Sequence, residues 1–256
     1  MGNIMQKIVG HLEGLILLVL GFYLGALVTV GGYWRYMNPK FEWLTGAAAI
    51  MFIITGGIAV LRPNRRANLS GIVIFLVFIG VAAMGTSTAL QSPPLQPGIM
   101  IDESDQDSSR LTLNGIEYIK INLAEIYQHC LNGEADKIAG RYLARGIVKR
   151  TPALDSSGQF AIIRTAVICC LAHAAPVGFR VHYSEADEFN DGQWVKVYGS
   201  LKTLPSDLPN PELHIRGLFF TRLNKSYGIV PTKIVKIPEP AVPYIFDFKS
   251  AEPYAY

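Results

Sequence analysis

Among 256 residues there are three cysteines and no Cys-x-x-Cys pair, so neither a dithiol redox motif nor a zinc ribbon is written in the chain. A glycine-rich phosphate loop, a dinucleotide fingerprint, a paired-carboxylate signature and a nucleophile–base pair are also missing, and the sequence reads as no enzyme. Charge is scarce and unevenly spread. Asp, Glu, Lys and Arg make up 17% of the chain against 50% hydrophobic residues, with mean hydropathy +0.27. The scarcity is complete in three runs, 14–33, 44–61 and 69–90, where none of these four residues occurs.

Each of those runs has about the roughly 20 apolar residues that a bilayer-crossing helix needs, and together they predict an N-terminal membrane part of three transmembrane helices over residues 1–90. The first run lacks a small-x-small cleavage site and is followed by two more, which favours an uncleaved helix over a signal peptide. Orientation follows from Lys and Arg near the helix ends. Lys7 precedes the first run, and "RPNRRAN" between the second and third holds Arg62, Arg65 and Arg66, whereas the loop between the first and second holds Arg35 and Lys40. Four against two places the N-terminus in the cytoplasm of an inner-membrane protein and everything after the third span outside. Tyr33, Trp34, Tyr36, Phe41 and Trp43 cluster where an interfacial aromatic belt belongs.

A transport pathway needs polar or ionisable groups at membrane depth. The three runs offer hydroxyl residues such as Thr29, Thr45, Thr55, Thr86, Ser87 and Thr88 and no charge, which fits an anchor or accessory subunit better than a permease. Small residues recur there: Gly21 and Gly25 form a G-x-x-x-G pair, and Gly56, Gly57, Gly80 and Gly85 follow, allowing close helix packing.

Residues 91–109, "QSPPLQPGIMIDESDQDSS", are rich in proline, serine and acid, and such a composition reads as a tether. From 110 to 256 the chain has the character of a soluble, extracytoplasmic domain. "LAEIYQHCLN" (123–132) predicts a helix, with Asn122 as N-cap and Glu125 in capping-box position. Strand-like runs follow at 142–150, 160–170, 177–183, 194–201, 213–223 and 233–237, separated by turn residues. Five or six strands with one preceding helix predict an all-β, OB-like barrel. Such barrels often bind oligonucleotides, but from Arg110 onward 17 Lys or Arg face 14 Asp or Glu, with no concentrated basic face. Nucleic acid is therefore not an expected partner. The tail after 237 combines prolines with aromatics and is expected to wrap the barrel in an extended conformation.

"AVICCLAHAAP" (166–176) holds the chemistry-bearing side chains that stand closest together. If the strand continues through 170, Cys169 and Cys170 point to opposite faces, and both can serve one site only where the strand bends. Three readings stand: apolar packing of buried sulfur; a thiolate–imidazole site in which the turn brings His173 to Cys169 and Cys170, for zinc or copper(I); and a disulfide from Cys130 to one of the pair. His129, Cys130, His182 and His214 are the other soft donors after residue 110.

"YMNPKFEWLTGAAAIM", "IAGRYLARGIVKR", "FAIIRTAVICCLAHAAPVGFRV", "QWVKVYGSLK" and "IVKIPEPAVPYIF" occur in this order, and the chain resembles the uncharacterised YcgQ-like family of bacterial membrane proteins. That family is described as the smaller subunit of a proposed two-component permease, with a C-terminal domain of unknown function. The resemblance implies a partner, a larger polytopic permease-like protein, and it supplies no reaction or substrate. The family's turn reads Cys-Cys-x-Ala-Asp-Ala, whereas this chain has His173 in place of the acid.

Overall fold

The structure, a computed structural model, describes residues 2–30, 32–62, 109–136, 140–183, 188–206, 208, 211, 213 and 221–256. The expected third span at 69–90, the tether up to 108 and the middle of the expected strand at 213–223 lie outside the described residues. The chain divides into two units, Met1–Gln96 with Cys169–Leu171, and Pro97–Ile168 with Ala172–Tyr256.

The first unit contains two long helices, α1 (Gly2–Thr29) and α2 (Glu42–Leu61). Their stretches Gly10–Thr29 and Pro39–Leu61, with hydropathies of 2.1 and 2.2, are long and apolar enough to cross a membrane. Glycines set the approach of the two helices. A Cβ on Gly14 would stand 3.0 Å from the Gly56 carbonyl, and one on Gly21 would stand 2.9 Å from that of Ala49. Gly25, the second member of the G-x-x-x-G pair, faces open space, so the working pair on α1 is Gly14 and Gly21. The hydroxyls close on themselves. Thr29 donates to the Gly25 carbonyl and Thr55 to that of Met51, while Thr45 and the Tyr33 hydroxyl lie 2.7 Å apart. Tyr33 is not part of an exposed belt: α1 ends at Thr29, and Tyr33 is buried in the following 3-10 turn, whereas Trp43 is exposed. In the same unit the backbone of Met37 bridges that of Cys170, and Asn38 N–H donates to the Cys169 carbonyl.

The second unit is built on a five-stranded closed barrel. A hairpin, β1 (Arg110–Leu113) and β2 (Ile116–Lys120), comes first, turning through Asn114 and Gly115 at φ 53° and 76°. Asn-Gly with both residues left-handed is the favoured two-residue hairpin turn, a signal the expected strands did not use. Helix α3 (Leu123–Leu131) follows, and its N-terminus carries the full capping box: Asn122 Oδ1 accepts from Ala124 and Glu125, and Glu125 accepts from the Asn122 N–H. Next come β3 (Arg141–Lys149), the single turn α4 (Pro152–Asp155), β4 (Gln159–Val167), β5 (Ala174–His182), β6 (Trp194–Thr203), β7 (Arg222–Leu223) and β8 (Tyr227–Lys236). The barrel order is β3-β4-β5-β8-β6, closed by β3 pairing with β6; β5 and β8 run parallel and the other neighbours antiparallel. β2 and β7 add outside this ring, parallel to β3 and β5.

The core joins strand residues Phe160, Ile162, Phe179, Val181, Val195 and Val197 to Leu123 and Ile126 of α3. Full burial of each such side chain contributes about 1.5–3 kcal/mol, so the helix is held mainly by what it inserts among the strands. Gly146 sits where β3 passes closest to β4: a Cβ there would stand 2.8 Å from the Ile163 carbonyl and 2.7 Å from Ile162 Cγ1. The tail does wrap the barrel. Ile245 pairs with Ala166 as a parallel bridge and exchanges hydrogen bonds with Thr165 and Val167. Farther on, Lys249 and Ala255 N–H donate to Glu125 Oε1 at 2.7 and 3.1 Å.

Replacing Gly146 with Ala forces backbone to move, and a loss of about 1–3 kcal/mol is expected from the shift of the denaturant midpoint. Burial raises the Glu125 carboxyl above its ordinary range, opposed by the backbone N–H groups of Ala255, Lys249 and Asn122. The folded chain thus holds this proton more tightly than the unfolded chain. Its contribution to stability is present below the ordinary carboxylate value and is lost as pH rises through the raised one. A melting series across that window should show this slope in the wild type and not in Glu125→Gln.

Candidate metal centre and a buried arginine pair

Strand β4 ends at Val167, three residues before the expected end at 170, because the chain turns there and exposes Ile168. That bend removes the objection that neighbouring cysteines face opposite ways. A 3-10 turn, Leu171–His173, follows directly and leads into β5. Potential ligand atoms of Cys169, Cys170 and His173 all lie within 4.8 Å of one another, and the two Sγ atoms are 3.7 Å apart. Both cysteines are half-buried and His173 is exposed. The donor set is two sulfurs and one imidazole, suited to zinc or copper(I). Three donors leave a closed tetrahedral zinc site one short, while they suffice for trigonal copper(I) or for zinc that keeps a position for an exchangeable ligand.

The other soft donors stand elsewhere. Cys130 lies on α3, packed against the barrel core, and burial pushes its thiol up to about 12. A thiol so held carries almost no thiolate at neutral pH and is a poor metal ligand. His129 Nδ1 lies 3.3 Å from Glu134, and His182 is exposed at the end of β5. His214 lies outside the described residues. All three cysteines are free thiols, so the disulfide reading has no counterpart in the structure.

Two arginines were overlooked in the sequence. Arg145 on β3 and Arg164 on β4 are 8% and 7% exposed and line one cleft of about 280 Å³ beneath the tail. Arg164 donates Nε to the Pro243 carbonyl at 3.2 Å and Nη2 to those of Val242 and Tyr244 at 3.4 Å. Burial, and secondarily the charge of Arg145, lowers its pKa to about 10, so it stays cationic at neutral pH. Arg145 lies over the Tyr256 ring, 3.8 Å from its centroid. The available signal was an arginine inside each of two apolar runs, "YLARGIVKR" and "FAIIRTAVICC".

The fold and site define a closed β-barrel domain that follows, in the same chain, two helices apolar enough to cross a membrane. Residues 100–247 match the family model described as the DUF1980 C-terminal domain, and the chain belongs to that uncharacterised family. No curated protein and no solved structure matches it.

If the three donors hold a metal, the full-length protein purified with one equivalent of zinc or copper(I) retains it through desalting. Cys169→Ser with Cys170→Ser should then lower retention at least tenfold, and Cys130→Ser should leave it unchanged, by elemental analysis against protein concentration.

Proposed function

We propose that this chain is an integral membrane accessory subunit that works with a larger polytopic, permease-like protein, as the YcgQ-like resemblance implies. In this reading its apolar helices hold it in the inner membrane with a cytoplasmic N-terminus. The third is the run at 69–90, and the barrel, of OB-like type, works outside the membrane as the interaction domain.

The observation that carries the reading is the surface of α1 and α2. Leu15, Val19 and Phe22 on one helix, and Ile50, Met51, Ile54 and Ile58 on the other, are exposed large hydrophobics. Such a surface is costly in water and is at home against lipid or a partner's helices. The threonine hydroxyls of both helices, Thr29, Thr45 and Thr55, are satisfied within the chain, which leaves little to line a substrate path and favours an anchoring or docking role over conduction. The OB-like assignment is supported by the five-strand order, with its first strand closing on the fourth and its third running parallel to the fifth.

A second reading is favoured by the gathering of Cys169, Cys170 and His173: a domain outside the membrane that hands a thiophilic ion to the partner. In gentle-detergent purification from native membranes, the subunit reading predicts a polytopic protein co-purifying in stoichiometric amount. Recovery of the chain alone would contradict that reading and leave metal handling as the function to examine.

A further inference from the structure

The cleft between the tail and strands β3 and β4 has a charge balance that its own walls do not resolve. Arg145 is more than nine-tenths buried, and its Nε is a buried donor with no hydrogen-bond partner. Among the described residues this guanidinium makes neither a hydrogen bond nor an ion pair; it lies over the face of Tyr256. Arg164, the second cation in the cleft, spends Nε and Nη2 on tail carbonyls, which are neutral. Asp247 is the one Asp or Glu lining the cleft, and it is exposed; Tyr256, also in the lining, acts on Arg164 with opposite sign but does not offset the lowering by burial. Buried charges in folded chains are paired or bind ions, because desolvation penalises a lone charge heavily.

We propose that this cleft is a binding site for a small soluble oxyanion, a carboxylate or phosphate group, held by Arg145 and Arg164. A guanidinium presents parallel donors that match either group in bidentate fashion. In this cleft Arg145 is the free fork and Arg164 the fixed one. Stacking on Tyr256 fixes the plane of Arg145 without consuming its N–H donors, so the fork stays available to a ligand. The carbonyls of Val242, Pro243 and Tyr244 do the same for Arg164 at the other wall. Tyr244 and Phe246 are also in the lining and offer apolar contact to the rest of the molecule that carries the anion. A volume of about 280 Å³ is at the small end for ligand sites and fits a metabolite-sized carboxylate or phosphate.

The test uses the full chain in detergent. Its melting temperature is followed while sodium phosphate, sodium acetate or sodium succinate is titrated against sodium chloride of equal ionic strength. The proposal predicts a saturable rise with phosphate, with a carboxylate, or with both, and none with chloride. It also predicts that Arg145→Gln weakens the apparent affinity at least tenfold while melting no lower than wild type in anion-free buffer, since it removes an unpaired buried charge. Arg145→Lys, which keeps the charge and loses the fork, should fall between the two. Three results would overturn the proposal: a wild type that responds to none of the three anions beyond chloride, an unchanged response in Arg145→Gln, or binding confined to phosphatidylglycerol in nanodiscs. The wild-type titration decides by itself if the glutamine variant does not fold.

Discussion

Strand β3 is the constraint on which the barrel depends, because it serves two neighbours at once. Residues 141–147 pair with β6 along one edge, while 147–149 pair with β4 along the other, and Ile147 is in register with both. A closed ring of five strands has no free edge of its own, and on the side of β3 away from β6 residues 147–149 pair with β4 while Tyr142 and Leu143 pair with β2. Serving both edges goes with a close approach of β3 to β4 at Gly146, which leaves no room for a side chain. Helix α3, entering just before β3, closes the interior with Leu123 and Ile126.

The tail is bound to this barrel by the sign of its backbone dipoles. Glu125 takes N–H donors from Lys249 and Ala255, and Arg164 gives its own donors to the carbonyls of residues 242–244. Each charged side chain is nearly inaccessible, so each is worth more as a hydrogen-bond partner than it would be in water, and each would be costly unpaired. Arg145 lies in the same region and has no such backbone partner among the described residues. The contrast between the two arginines separates a structural charge from one kept available.

Much of this was legible in the sequence where one physical signal dominated. Charge-free runs located α1 and α2, and the Asn-x-x-Glu spacing located α3 together with its cap. Strands β3, β4 and β6 begin within a residue of the positions their apolar runs indicate, since burial on both faces leaves few other readings. Legibility failed where tertiary context decides. The end of β4 at Val167 depends on a turn whose residues, Ile168 to His173, carry no glycine or proline to announce it. The hairpin β1–β2 was announced, by Asn114-Gly115, and its strands are short and only partly buried, so their alternation is faint. The strand expected at 213–223 is described only at its end, as β7. Arg145 and Arg164 could not be read as a pair without knowing that β3 and β4 are neighbours.

The shared strand is tested most directly by native-state hydrogen exchange of the full chain in detergent, read at the amides of β3. A closed barrel predicts that the paired amides of residues 141–149 exchange slowly along the whole strand, at a rate set by unfolding of the unit. Fast exchange along residues 141–146 and at Val148, whose N–H donates to the Gln193 carbonyl just before β6, beside slow exchange at Ile147 and Lys149 would show that β3 does not close on β6, and the barrel as described would be wrong.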